Sequence, residues 1–229
     1  MKIKKVAILS LSIVILLQAM VFSVFAASGK VYIFTHTWSD LNTRAAGNTT
    51  VLRHLWDMGY DAGEYLNNSA ADAYSVMPKS KILVIASHGA EGRIRLGTDK
   101  SMSRIYANSY VSGDNRSISN LSANSLSDTR LVLYAGCSTG GNASNGSNLV
   151  TATRSKGAQC VVGWNETIHY NPAADWIRLL FEKANKEEEV LWECFNHADY
   201  WVRDIWGSTY SKPLNNRNES GNITQQLYK

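Results

Sequence analysis

The chain has 229 residues and a formal net charge of +4, but Lys2, Lys4 and Lys5 lie in an N-terminal stretch without acidic residues, so the remainder carries only +1. With no clustered Lys/Arg face it lacks the electrostatic footprint of a nucleic-acid binder. About 200 residues follow that stretch, enough for one α/β domain with a sizeable core, and neither an internal repeat nor a second domain is visible.

Residues 1–26 run from the lysines through a long apolar stretch to the small residues around Val24-Phe25-Ala26, the pattern of a secretory signal peptide. Cleavage would leave a secreted domain; an uncleaved segment would anchor the domain to a membrane. The domain is expected over 27–210, with a polar, partly disordered tail over 211–229. KVYIFT (30–35) reads as a first strand, ending at His36, Thr37 and Trp38. A helix follows, with Val51, Leu52, Leu55 and Met58 at helical spacing; Asp40 or Asn42 is the expected cap, and Gly47 and Asn48 weaken it. A short strand at 63–66, a helical piece at 70–77 and a strand at 82–86 give the order β-α-β-α-β, which requires right-handed crossovers and a parallel sheet.

Residues 92–98 alternate apolar and polar and are expected to pair with 103–107 as a hairpin beside the main sheet. The Ser/Asn/Asp-rich stretch 108–128 reads as a surface loop with one short helix. Beyond a strand that reaches Cys137 come a small-residue loop, a helix within 148–156 and a strand at 159–163. Two amphipathic helices close the domain, one carrying Trp176, Ile177, Leu180 and Phe181, the other Leu191, Phe195, Ala198 and Val202.

Two stretches share one design. KILVIASHGAEG (81–92) and TRLVLYAGCSTG (129–140) are apolar runs of the kind buried in parallel sheets, and they end in His88-Gly89 and in Cys137 with small neighbours. Ligand crevices lie outside the carboxyl ends of parallel strands, so neighbouring strands would bring His88 and Cys137 to one cleft. A cysteine attacks as its thiolate and needs a proton acceptor nearby, a task for which histidine titrates in the right range. The backbone N–H groups of Gly89 and Cys137 would flank a developing oxyanion. Cys160, in CVVGW, and Cys194, on an apolar helix face, read as ordinary buried thiols, although an odd cysteine count leaves one unpaired in a monomer. His54, His169 and His197 show no metal-ligand spacing, and no HExxH or EF-hand loop occurs, so no metal or cofactor is expected.

A strand ending in His-Gly, a spacer, and a strand ending in a cysteine with small neighbours resemble the caspase-like cysteine peptidases. His88 and Cys137 are 49 residues apart, similar to the caspase spacing. The segments SLSDTRLVLYAGCSTG and GAQCVVGW look most like the bacterial CHAT-domain and separase branch. The resemblance implies a three-layer α/β sandwich with a mostly parallel central sheet and helices on both faces. It also implies an endopeptidase acting on peptide or protein substrates, with His88 catalytic, Cys137 the nucleophile, and Gly89 and Cys137 as oxyanion donors. The family's P1 pocket falls on His36, Trp38, Trp164 and Glu166, and Glu166 suggests a basic P1 residue. Each has a plainer reading: Glu166 as a cap or ion pair, Trp38 and Trp164 as core or rim aromatics, His36 as a structural histidine. One departure is Ala135, where several relatives carry an acid or amide.

An α/β-hydrolase fits less well, because Cys137 is not at the centre of a G-x-C-x-G elbow and His88 precedes it. A catalytically silent binding module with the same fold is the other alternative. The sequence does not specify an oligomeric state.

Overall fold

The computed structural model describes residues 29–109, 111–187 and 189–227; the segment read as an export signal lies outside them. The strands are β1 (Lys30–Thr35), β2 (Asp61–Leu66), β3 (Ser80–Ala86), β4 (Gly89–Ala90), β5 (Arg93–Thr98), β6 (Ser101–Tyr106), β7 (Arg116–Ser117), β8 (Leu131–Ala135), β9 (Cys160–Trp164) and β10 (Arg217–Gly221). The α-helices are α1 (Thr49–Asp57), α2 (Ala70–Val76), α3 (Leu149–Arg154), α4 (Tyr170–Glu187), α5 (Leu191–Trp206) and α6 (Ser208–Asn215).

The central sheet has the order β10-β9-β8-β3-β1-β2, parallel throughout except for β10, which runs against β9. Strand alternation divides its side chains between two cores. Val31, Ile33, Ile82, Val84, Leu131, Leu133 and Val162 pack with α1, α4 and α5 through Leu55, Trp176, Phe181 and Phe195. Tyr32, Phe34, Leu83, Ile85, Val132 and Tyr134 pack on the opposite side with Ala73 of α2, Leu149 and Val150 of α3, and Ile94 and Ile105 of the small sheet. With both faces covered, the four inner strands β1, β3, β8 and β9 are apolar along nearly their whole length, which is why they read as continuous runs. Each such buried aliphatic side chain contributes about 1.5–3 kcal/mol of transfer free energy. This is the expected three-layer α/β architecture.

The small sheet, β4-β5-β6-β7, is built on the expected hairpin, and β4 follows directly on His88. The first helix differs from expectation. A 3-10 turn at Arg44–Gly47 comes first, and the cap of α1 is Asn48, whose side chain accepts from the N–H groups of Thr50 and Val51. Asn48 is extended (φ −68°, ψ 168°), so no single helix can run from Asp40 or Asn42.

The region 211–229, expected as a polar tail, instead completes α6 and supplies β10, with pairing from Arg217↔Trp164 to Gly221↔Cys160. The Arg217 side chain is only 9% exposed. Its Nη1 donates to both Asp199 oxygens at 2.9 and 2.8 Å, and its guanidinium lies 5.5 Å from the Trp176 ring centroid and 5.1 Å from that of Phe195. Polar residues are docked here by pairing and stacking, which hydropathy does not register.

Candidate active site

β3 and β8 are neighbours, with Ile85 opposite Tyr134 and Ala86 opposite Ala135. His88 lies two residues beyond Ala86 and Cys137 two beyond Ala135, so equal offsets carry both to the same level above the sheet. They line one cavity of about 200 Å³. The two strand ends also touch, for Ser87 N donates to Ala135 O at 3.1 Å. A Cβ on Gly136 would stand 2.7 Å from Ser87 O, and one on Gly89 2.5 Å from Cys137 O. No side chain fits at either position, which accounts for a glycine after the histidine and another before the cysteine.

The turn after β8 is tied down by its small residues. The Thr139 hydroxyl lies 2.8 Å from Tyr134 O and 2.9 Å from Gly136 O, Ser138 N donates to Glu166 O, and Gly140 N donates to Trp164 O. Ser138 takes a left-handed φ of 54°, an uncommon conformation for serine that turns the chain sharply after Cys137. The Cys137 Sγ is half-buried and lies 3.7 Å from Ile168 O. Its N–H has no hydrogen-bond partner among the described residues. Because Arg95 N donates to His88 O, the pair Gly89/Ile94 is the non-bonded one in the antiparallel ladder, and the Gly89 N–H points away from β5.

His88 is oriented by Asp40, which the sequence reading offers only as a helix cap. Its Nε2 lies 2.9 Å from Asp40 Oδ1, and that bond holds the Asp40 carboxyl below its usual range. Asp40 stands in the loop after β1, the next strand along from β3; a carboxylate at a third strand end was the available signal. Trp38 supports the imidazole from behind, ring centroids 5.8 Å apart, while its Nε1 donates to Ser87 Oγ at 3.0 Å. At 7% exposure Trp38 is a support more than a pocket wall.

Three of the expected substrate contacts are corrected. His36 is fully buried, its ring nitrogens each 3.3 Å from a carbonyl oxygen, of Ala86 and of Asn68, and burial pushes its pKa down. It packs the loop after β1 and does not reach the cleft. Trp164 is also fully buried, because strand alternation turns it towards the helices, where its Nε1 donates to Leu214 O of α6 and its ring meets Trp176 of α4 edge-on. Glu166 is exposed and accepts a hydrogen bond from Asn216, and it does not line the cavity shared by His88 and Cys137.

Leu41, Ala135, Ile168, His169 and Tyr170 complete that cavity. A second cavity of about 470 Å³ opens on the other side of Cys137, against Gly89, Glu91, Arg93 and Thr167. The other thiols are unlike Cys137, since Cys160 and Cys194 are buried and burial pushes both up to about 12. Among the described residues no group of three or more His, Cys, Asp or Glu is placed to hold a metal ion. Chemically, the arrangement offers one accessible thiol, one oriented imidazole and two backbone donors.

No protein-family model matches the chain, and no curated protein matches it in sequence. Solved structures do. The crystal structure of the Arg specific cysteine proteinase gingipain R superimposes with a TM-score of 0.65 at 8% identity, covering 86% of this chain and 47% of that one. A complex of the pro- and mature domains of RgpB from Porphyromonas gingivalis gives the same TM-score and identity, covering 86% and 48%. The chain therefore spans under half the length of these neighbours. At this identity the likeness concerns the fold alone, and the chain has the caspase-like α/β fold.

Proposed function

We propose that this chain is an exported cysteine endopeptidase in which Cys137 is the nucleophile and His88 the acid–base group. The observation that carries the reading is the register Ala86↔Ala135, which sets the two residues at matching strand ends. The Cys137 sulfur bonds to the substrate carbonyl carbon, and the oxyanion forms between the N–H groups of Gly89 and Cys137. His88, having taken the thiol proton, gives it to the leaving amine as the C–N bond breaks. Water then attacks the thioester, its proton passing to His88; the C–S bond breaks, the carboxyl product leaves, and the Cys137 sulfur recovers the proton from His88. Asp40 keeps the imidazole turned to this task.

Export is supported by the composition of residues 1–26, and a place beside CHAT and separase proteases by the motif segments around Cys137 and Cys160. The expected basic P1 residue rested on Glu166, whose position outside the cavity removes that support.

The test is cleavage of a peptide library by the purified chain lacking residues 1–26, beside Cys137→Ala. Cleavage that vanishes in the variant supports the peptidase. No Cys137-dependent cleavage, even after limited proteolysis or added calcium, would favour a binding module that keeps the fold.

A further inference from the structure

The cavity between His88 and Cys137 has apolar walls, and it holds no carboxylate. Its lining takes Leu41 from the loop after β1, Ala135 from the end of β8, and Ile168 and Tyr170 from the start of α4 and the loop before it. Glu91 lines the second cavity instead, and three other acids of the surrounding elements have partners. Asp40 bonds His88, Glu64 accepts from Thr35 and pairs with Arg44 at 3.5 Å, and Glu166 accepts from Asn216. The Tyr170 hydroxyl accepts from Ala46 N at 2.9 Å. The one imidazole lining it apart from His88 is that of His169, which is exposed and packs edge-on against Tyr210, 4.7 Å between centroids.

We infer that this cavity is the P1 pocket and that it selects an uncharged apolar side chain of the size of Leu, Met or Phe. The inference rests on the peptidase reading above. A guanidinium or ammonium entering here would lose its water without gaining a carboxylate, and an uncompensated buried charge is among the costliest arrangements in a protein. A P1 carboxylate finds no Lys or Arg among the lining residues. An aliphatic or aromatic side chain loses nothing polar and covers Leu41, Ile168 and Ala135, leaving its carbonyl next to Cys137. About 200 Å³ is room for one such side chain and not for an extended second subsite.

The experiment compares kcat/KM for a peptide series identical except at P1, with Leu, Met, Phe, Arg, Lys, Asp and Glu, on the wild-type chain, Cys137→Ala and Leu41→Asp. Leu, Met or Phe is expected to exceed each charged residue by at least about tenfold in a Cys137-dependent manner. Leu41→Asp, a half-exposed site that tolerates a polar side chain, is expected to raise cleavage after Arg by about tenfold and to lower cleavage after Leu. Cys137-dependent cleavage that favours Arg, Lys or an acid overturns the pocket assignment and leaves the peptidase standing. An unchanged P1 profile in Leu41→Asp also overturns it. Loss of all Cys137-dependent cleavage overturns the peptidase reading itself.

Discussion

The carboxyl ends of β3 and β8 and the β9–β10 edge are both places where distant parts of the chain meet, and they are held by opposite means. At the strand ends, contact comes from what is missing: Gly89 and Gly136 have no side chain, so two backbones pass too close for a Cβ on either glycine and leave His88 and Cys137 beside an open cavity. At the edge, contact comes from what is added, since Arg217 joins Asp199, Trp176 and Phe195 into one sealed cluster. The difference separates activity from stability. Damage to the first should abolish chemistry in a folded protein; damage to the second should unfold a protein whose chemistry is intact.

The largest effect is expected at the edge. Arg217→Ala leaves Asp199 part-buried with one bonding partner fewer and is predicted to cost about 3–5 kcal/mol, read as a shift in urea midpoint, while the specific activity of the remaining folded fraction stays near wild type. Gly136→Ala should do the reverse. It forces the strand ends apart and is predicted to lower kcat/KM by about 100-fold with only a modest change in unfolding midpoint. A Gly136→Ala protein that retains full activity would break the comparison.

Smaller effects sharpen it. Asp40→Asn keeps a hydrogen-bonding side chain but removes the carboxylate that orients His88, and kcat/KM should fall by about tenfold through kcat, with KM unchanged. A purely structural Asp40 would leave kcat of the folded protein in place. The smallest effect belongs to His36. Burial lowers its pKa from an ordinary 6.5, so the unfolded chain takes up a proton more readily than the native one. The stability associated with neutral His36 is complete above about pH 6.5 and declines as pH falls through the window between that value and the lower native pKa. Urea midpoints measured at pH 7.5 and 5.5 should therefore differ less in His36→Gln than in the wild type; His54, lowered in the same direction, keeps part of the slope.

How far the sequence revealed this arrangement depended on the kind of signal involved. His88 and Cys137 were legible because each ends a continuous apolar run, and two such runs in a parallel sheet deliver their last residues to one side. Asp40 was not, because its role depends on how the loop after β1 folds back, which no local pattern encodes. Trp164 was misplaced by a single step of strand alternation, with one side of β9 facing the helices and Glu166 beyond the strand turned to Asn216. β10 escaped notice because RNESG carries no apolar residue and docks through an ion pair and stacking. Asn48 escaped as a cap because the apolar spacing runs on through Ala45 and Ala46 into the 3-10 turn.

The central claim is that Cys137 is the one reactive thiol and that His88 makes it so. Native protein treated at pH 7.5 with a peptidyl thiol-directed inhibitor should gain a single adduct, mapped by mass spectrometry to Cys137, with Cys160 and Cys194 modified only after unfolding. In His88→Ala the adduct should form far more slowly although the protein stays folded. No adduct on native protein, or labelling at Cys137 that is indifferent to His88→Ala, would contradict the account.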